Sequence, residues 1–317
     1  MKNKLILFLL MAALTIFAAG CGNASETTSD VKADTKESEV LTITHQLGET
    51  KVEKNPEKVV VFDFGALDTL DKLGVEVTGV PQANIPSYLS KYEDSKYENV
   101  GGLKEPDFEK IHEIGPDLII ISGRQQDAYA EFSEIAPTLF ITIDPSAYME
   151  SFSKNTTTLA EIFNKEAEAE KELVNVKESI DALNQIAADS GKNALIVLAN
   201  EGSLSAYGPG SRFGIIHDEM GVTPVDNTIE VSPHGQSISP EYIMEKDPDY
   251  LFVIDRGMVV EGGDTSAKGT VENELVKKTK AFKNDNIIYL DSNYWYLSGG
   301  GLISVPGMVK EVEEAFK

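Results

Sequence analysis

Cysteine is nearly missing from this chain: Cys21 is the only one in 317 residues. A fold held by disulfides and a cysteine-ligated metal centre are both excluded. Arginine is almost as scarce. It occurs at Arg124, Arg212 and Arg256 alone, although lysine and arginine together number 28. Positive charge is in deficit overall, and the formal net charge is −24. Such a field repels nucleic acid and anionic lipid, so neither is expected as a partner. No apolar run after residue 20 reaches the roughly 18 residues that span a bilayer. Catalytic signatures are missing too. There is no Gly-x-Ser-x-Gly elbow, no phosphate loop and no Gly-x-Gly-x-x-Gly after the first strand. Gly299-Gly300-Gly301 lies near the C-terminus, outside any strand-to-helix turn. No spacing of Ser, His and Asp nominates a triad, so an enzyme is not expected.

What is present begins at the N-terminus. Lys2 and Lys4 precede an apolar run from Leu5 to Ala19, followed by Gly20-Cys21. This is the layout of a secretory signal over residues 1–20. Ala18-Ala19-Gly20-Cys21 resembles a bacterial lipobox, although Ala18 replaces its usual Leu. That resemblance implies a diacylglyceryl group on Cys21 and a location on the extracytoplasmic face of a cell membrane. An ordinary secretion signal with an incidental cysteine is the plainer alternative. Residues 21–40 are rich in Ser, Thr, Asp, Lys and Glu and contain no aromatic residue. They read as a flexible tether.

From residue 41 the pattern is α/β. Leu41–Thr44 and Lys51-Val52 form a hairpin pattern. Val59–Phe62 and Leu118–Ile121 are continuous apolar runs, as in strands buried on both faces. Val75–Val80 reads as a further strand, and Asp107–Glu113 as a helix closed by Gly115-Pro116-Asp117. Strands alternating with helices predict parallel sheets. From Tyr148 to Asp189 apolar residues recur at steps of three or four with few breakers, which predicts one long helix. Strand patterning restarts at Ala194–Leu198. The two halves also overlay at an offset of 132. Glu109 falls on Glu241, Pro116–Ile121 on Pro248–Val253, and Arg124 on Arg256. The expected organisation is an N-terminal lobe over 41–147, a linker helix over 148–190 and a C-terminal lobe over 191–317.

Several segments are specific in combination: Val59–Gly65, Ile120–Arg124, Tyr207–Gly214, His234–Ser237, Phe252–Gly257 and Tyr294–Gly300. Through them the chain, from about residue 40 to its end, resembles the substrate-binding lipoproteins of iron–siderophore ABC importers. The likeness is greatest to those for catecholates such as petrobactin. It implies two Rossmann-like lobes joined by a single long backbone helix, the helical-backbone periplasmic-binding-protein fold, with ligand held between the lobes. It also implies a monomer that captures a ferric siderophore and hands it to an ABC permease, with no intrinsic cofactor. Another anionic iron chelate, haem or cobalamin is the alternative cargo, and a membrane-anchored enzyme the more distant one.

The arginines make sense apart from the resemblance. Arg124 and Arg256 follow buried strands at their C-terminal ends, where open parallel sheets bind ligands. Arg212 lies in the Gly208-Pro209-Gly210 loop, which can approach a ligand closely. A ferric catecholate is an anion with oxygen acceptors around the metal and flat rings outside. Guanidinium groups meet both features, through charge-assisted hydrogen bonds and cation–π contact. Three surface salt bridges are the plain alternative. The resemblance implies that His234 and Tyr296 complete the iron shell when the siderophore is tetradentate; a hexadentate one leaves them no site. Tyr294 competes with Tyr296 for the cleft position. Gln236, Tyr207 and Trp295 are weaker candidates for lining the pocket. His45, His112 and His217 read as structural or surface residues. In the resembled family one acidic residue per lobe docks on the permease, which points here to Glu109 and Glu241; simple solvation of a helix surface competes with that reading.

Overall fold

The computed structural model describes residues 39–260 and 267–317. The expected signal, Cys21 and the tether up to residue 38 lie outside these residues. The described chain opens with an antiparallel hairpin, β1 (Val40–His45) and β2 (Gly48–Glu53). Thr50 Oγ1 donates to Thr138 O at 2.6 Å and ties the hairpin to the first sheet.

That sheet has five parallel strands in the order β5-β4-β3-β6-β7. These are β3 (Val59–Val61), β4 (Gly79–Val80), β5 (Glu98–Asn99), β6 (Leu118–Ile121) and β7 (Thr138–Phe140). Every residue of β3 and β6 is fully buried, as their unbroken apolar runs require. Helix α1 (Phe64–Lys72) follows β3, and Asp63 caps it by accepting from Ala66 N at 2.8 Å. The expected strand at Val75–Val80 shrinks to its last two residues. Val75 is consumed in closing α1: its N–H reaches Leu70 O, that of Gly74 reaches Asp71 O, and Gly74 has φ 71°. This is a Schellman closure.

The second sheet has six strands: β8 (Asn193–Asn200), β9 (Ser203–Tyr207), β10 (Thr223–Pro224), β11 (Gln236–Ile238), β12 (Tyr250–Asp255) and β13 (Ile287–Leu290). Its main order is β11-β9-β8-β12-β13, with β10 beside β8. β8, β12 and β13 run parallel as expected, but β9 lies antiparallel to both of its neighbours, β8 and β11. The reversal is made by Glu201-Gly202, with φ of 49° and 80°. Two consecutive positive φ values give the tight hairpin turn whose twist matches the strands.

The stretch from 148 to 190 is helical, but in two pieces: α4 (Tyr148–Ile162) and α5 (Glu166–Ser190). Asn164 adopts φ 52° and Lys165 N bonds Ala160 O, ending α4. Asparagine tolerates this left-handed cap, so no Gly or Pro marks the break. The 25 residues of α5 extend for about 37 Å. Their buried face, Val176, Ile180, Leu183 and Ala187, joins one apolar cluster with the C-terminal helix Ser304–Ala315 and the inner face of β8 and β12.

The 132-residue offset recurs in space. Helix α2 (Phe108–Ile114) starts after Asp107 and ends on left-handed Gly115. Helix α7 (Pro240–Lys246) starts after Ser239 and ends on left-handed Asp247. Each leads into a central buried strand, β6 or β12. Glu109 and Glu241 therefore stand at matching, exposed first-turn positions, one in each half.

Candidate functional site

Three strand-to-loop junctions position the three arginines. Arg124 lies in the short turn after β6. Ser122 and Gln125 close that turn: Ser122 N donates to Gln125 Oε1 at 3.1 Å. Arg256 is the first residue after β12, and its backbone N–H reaches Ala199 O at 3.1 Å. Arg212 sits in the loop after β9. There Gly210 N donates to Asp218 Oδ2 at 2.7 Å and Ser211 Oγ donates to Gly208 O at 2.5 Å. Gly214 closes the same loop, and a β-carbon there would come within 2.9 Å of two backbone nitrogens. Only glycine fits that loop.

The three side chains meet on one residue, Tyr296. Arg124 Nη2 and Arg212 Nη2 both donate to its carbonyl oxygen, at 2.9 and 2.7 Å. Arg212 stacks over its ring with the guanidinium carbon 4.5 Å from the centroid. Arg256 Nε donates to its hydroxyl at 3.0 Å. Tyr296 belongs to a single π-helical turn, Asn293–Ser298. Tyr296 is third from the end of that turn, where carbonyls have no partner within the helix and can accept from outside donors. Burial would raise the Tyr296 phenol; the Arg256 hydrogen bond and the charges of Arg212, Arg256 and Arg124 outweigh it and hold the phenol below its ordinary value. Burial, and then the charge of Arg124, lower Arg212. Arg256 is also held by Asn200 Oδ1 at 2.6 Å and Glu201 Oε1 at 3.5 Å. The cluster is thus strongly cationic within an acidic protein.

A cavity of about 710 Å³ opens beside the cluster, within the usual range for small-molecule sites. Asp63 and Arg124 line it from the first half. Arg212 and Val231 line it from the second, and Ser298 and Gly300 from the connecting turn. Arg256 joins the cluster through Tyr296 rather than by lining this cavity. His234 is exposed on the loop whose neighbours Val231–Pro233 form the cavity rim. Trp295 also reaches the cavity, but it is buried and donates Nε1–H to Glu311 Oε2 at 2.7 Å. Tyr207 is buried edge-on against Phe213, with centroids 4.6 Å apart. Gln236 Oε1 accepts from Glu230 N at 2.9 Å and braces the His234 loop. Tyr294 packs on Tyr88. Among the described residues no group of three or more His, Cys, Asp or Glu side chains could hold a metal ion. Sequence reasoning missed Ser298, Asn200 and the buried pair Asp68 and Tyr88. Asp68 left one trace: it is an acid set between the apolar positions Leu67 and Leu70 of α1.

With this geometry in place, the class of the protein is settled by comparison. The pattern of the periplasmic binding protein family matches residues 59–294, and the chain belongs to that family. The petrobactin-binding protein YclQ of Bacillus subtilis (strain 168) is 51% identical over the full length of both chains. Its crystal structure superposes with a TM-score of 0.86 at 53% identity, covering 88% of this chain and 99% of that one. The catecholate-siderophore binding protein VctP of Vibrio cholerae superposes at 0.83 with 37% identity, over 87% of this chain and all of that one. The ferric-anguibactin-binding protein FatB of Vibrio anguillarum is 32% identical, over 87% of this chain and 88% of its own. By name, these relatives bind siderophores.

Proposed function

We propose that the chain captures a ferric siderophore of the catecholate type, petrobactin-like, beside the arginine cluster and delivers it to an ABC permease. One observation carries this reading: the only three arginines of an acid-rich chain leave three different strand ends and converge on Tyr296. Arg124 and Arg212 line the cavity itself, so an anionic chelate finds charged donors already in place. The 51% identity to a petrobactin-binding protein supports the finer choice of cargo. No bond is made or broken in this role.

The remaining assignments belong to the same reading. His234, exposed at the cavity rim, and Tyr296, with its lowered phenol, complete the iron shell of a tetradentate chelate. Iron(III) suits phenolate oxygen and accepts imidazole. Glu109 and Glu241 dock the two halves, taken as 41–147 and 191–317, on a two-fold permease. Cys21 carries the lipid that holds a monomer at the outer face of the membrane.

The test is a fluorescence-quenching titration with ferric petrobactin. Arg124→Ala, Arg212→Ala and Arg256→Ala are each expected to weaken binding about tenfold, on the order of 1.4 kcal/mol. Three variants that match the parent would end the arginine-pocket model. For the iron ligands, His234→Ala and Tyr296→Phe should each change the ligand-to-metal charge-transfer band of a bound bis-catecholate complex.

A further inference from the structure

Behind the cleft wall lies a buried hydrogen-bonded chain that the arginine cluster does not use. Asp68 on α1 has no exposed surface. Its carboxylate accepts from Ile303 N at 3.1 Å, Ser304 N at 3.0 Å and the Tyr88 hydroxyl at 3.0 Å. The Tyr88 hydroxyl lies 2.6 Å from Ser298 Oγ, and Ser298 lines the cavity two residues after Tyr296. The seam is too tight for adjustment, since a β-carbon at Gly301 would overlap the Asp68 carboxylate.

We propose that Ser298 contacts the bound ferric chelate, and that Asp68, acting through Tyr88, positions the Ser298 hydroxyl hydrogen. This rests on the reading that the cavity holds an anionic chelate, and it makes Ser298 the donor for one of the chelate's oxygen acceptors. Tyr88 has a single hydroxyl hydrogen and two partners, so the chain has two orders. With Asp68 ionised, Tyr88 donates to Asp68 Oδ2 and Ser298 donates to Tyr88; the Ser298 hydrogen is then committed inward. With one proton taken from solvent onto Oδ2, that proton faces the Tyr88 oxygen, Tyr88 donates to Ser298, and the Ser298 hydrogen turns to the cavity. No heavy atom has to move. The titratable groups facing Asp68 are Tyr88, Tyr148 and Tyr294. Burial, opposed by the hydrogen bonds from Ser304, Ile303 and Tyr88, leaves the carboxyl at about 7, so both orders are populated near neutrality.

The experiment titrates full-length protein with ferric petrobactin at pH 6 and pH 8, for the parent and for Ser298→Ala, Tyr88→Phe and Asp68→Asn. Affinities are taken as the ratio to Ser298→Ala at the same pH, which cancels protonation of the chelate itself. The parent ratio should be about fivefold larger at pH 6 than at pH 8, as expected for one gained hydrogen bond to a charged acceptor. Tyr88→Phe should abolish that difference. Asp68→Asn removes the titrating group, so its ratio should be the same at pH 6 and pH 8. A parent ratio that does not change with pH, or a Tyr88→Phe variant that keeps the change, overturns the inference and leaves the arginine reading intact. A parent that does not bind ferric petrobactin at either pH overturns both.

Discussion

At the scale of the residue, Tyr296 gathers the site. Its carbonyl draws in two like-charged guanidinium groups, its ring lies under one of them and its hydroxyl meets the third. Two cations on one oxygen repel each other; burial first, and then this repulsion by Arg124, lower Arg212. An incoming anion relieves it. The phenol supplies an independent readout. Arg256→Ala removes the first of the groups that hold Tyr296 down, so its ionisation should move back toward the ordinary value of 10. Alkaline difference absorbance, compared with Tyr296→Phe to identify the band, measures this; an unmoved titration would assign the effect to Arg124 and Arg212 instead. The arginine positions were legible in the sequence because scarcity made them stand out. Tyr207 and Trp295 were harder to place, because an aromatic beside a loop reads equally as pocket lining or core. Their phase, inward on β9 and inward on the π-helical turn, is set by partners outside their own segments, Phe213 and Glu311.

At the scale of the element, unbroken apolar runs announced β3 and β6, the 132-residue offset carried β6 onto β12, and Asp107 with Gly115 bracketed α2. The antiparallel course of β9 was not legible. Short mixed segments such as Ser203–Tyr207 carry no mark of direction, and direction is decided by a two-residue turn. The break at Asn164 was hidden for a related reason, since asparagine ends a helix only when its backbone takes the left-handed state. The β8–β9 turn links stability to the site. Glu201 holds a strained φ of 49° while its carboxylate reaches Arg256. Glu201→Asn should stabilise the fold by roughly 0.5–1 kcal/mol in chemical denaturation, because asparagine accepts this conformation more readily. It should also tighten ferric petrobactin binding, because Arg256 loses a competing carboxylate. A variant that is stabilised but binds no better would uncouple the turn from the cluster.

At the scale of the whole molecule, two buried groups should shape stability against pH in opposite senses. Asp68 has its carboxyl raised from 3.8 to about 7. The native state therefore holds the proton that the unfolded chain releases, and the Asp68 contribution declines as pH rises from about 4 to about 7. Burial lowers His217, whose Nδ1 lies 2.7 Å from Val222 O. Its contribution is lost as pH falls through and below the ordinary histidine value of 6.5. Calorimetric melting from pH 5 to pH 8 should show the Asp68→Asn variant losing the decline toward neutrality and His217→Asn losing the fall on the acid side. The site's composition has a practical outcome as well. An arginine-directed dicarbonyl reagent has three targets in the entire polypeptide, and all three crowd around one tyrosine. Covalent labelling, followed by peptide mass mapping with and without cargo, would report on the cleft against a silent background. The protein carries its own footprinting probe.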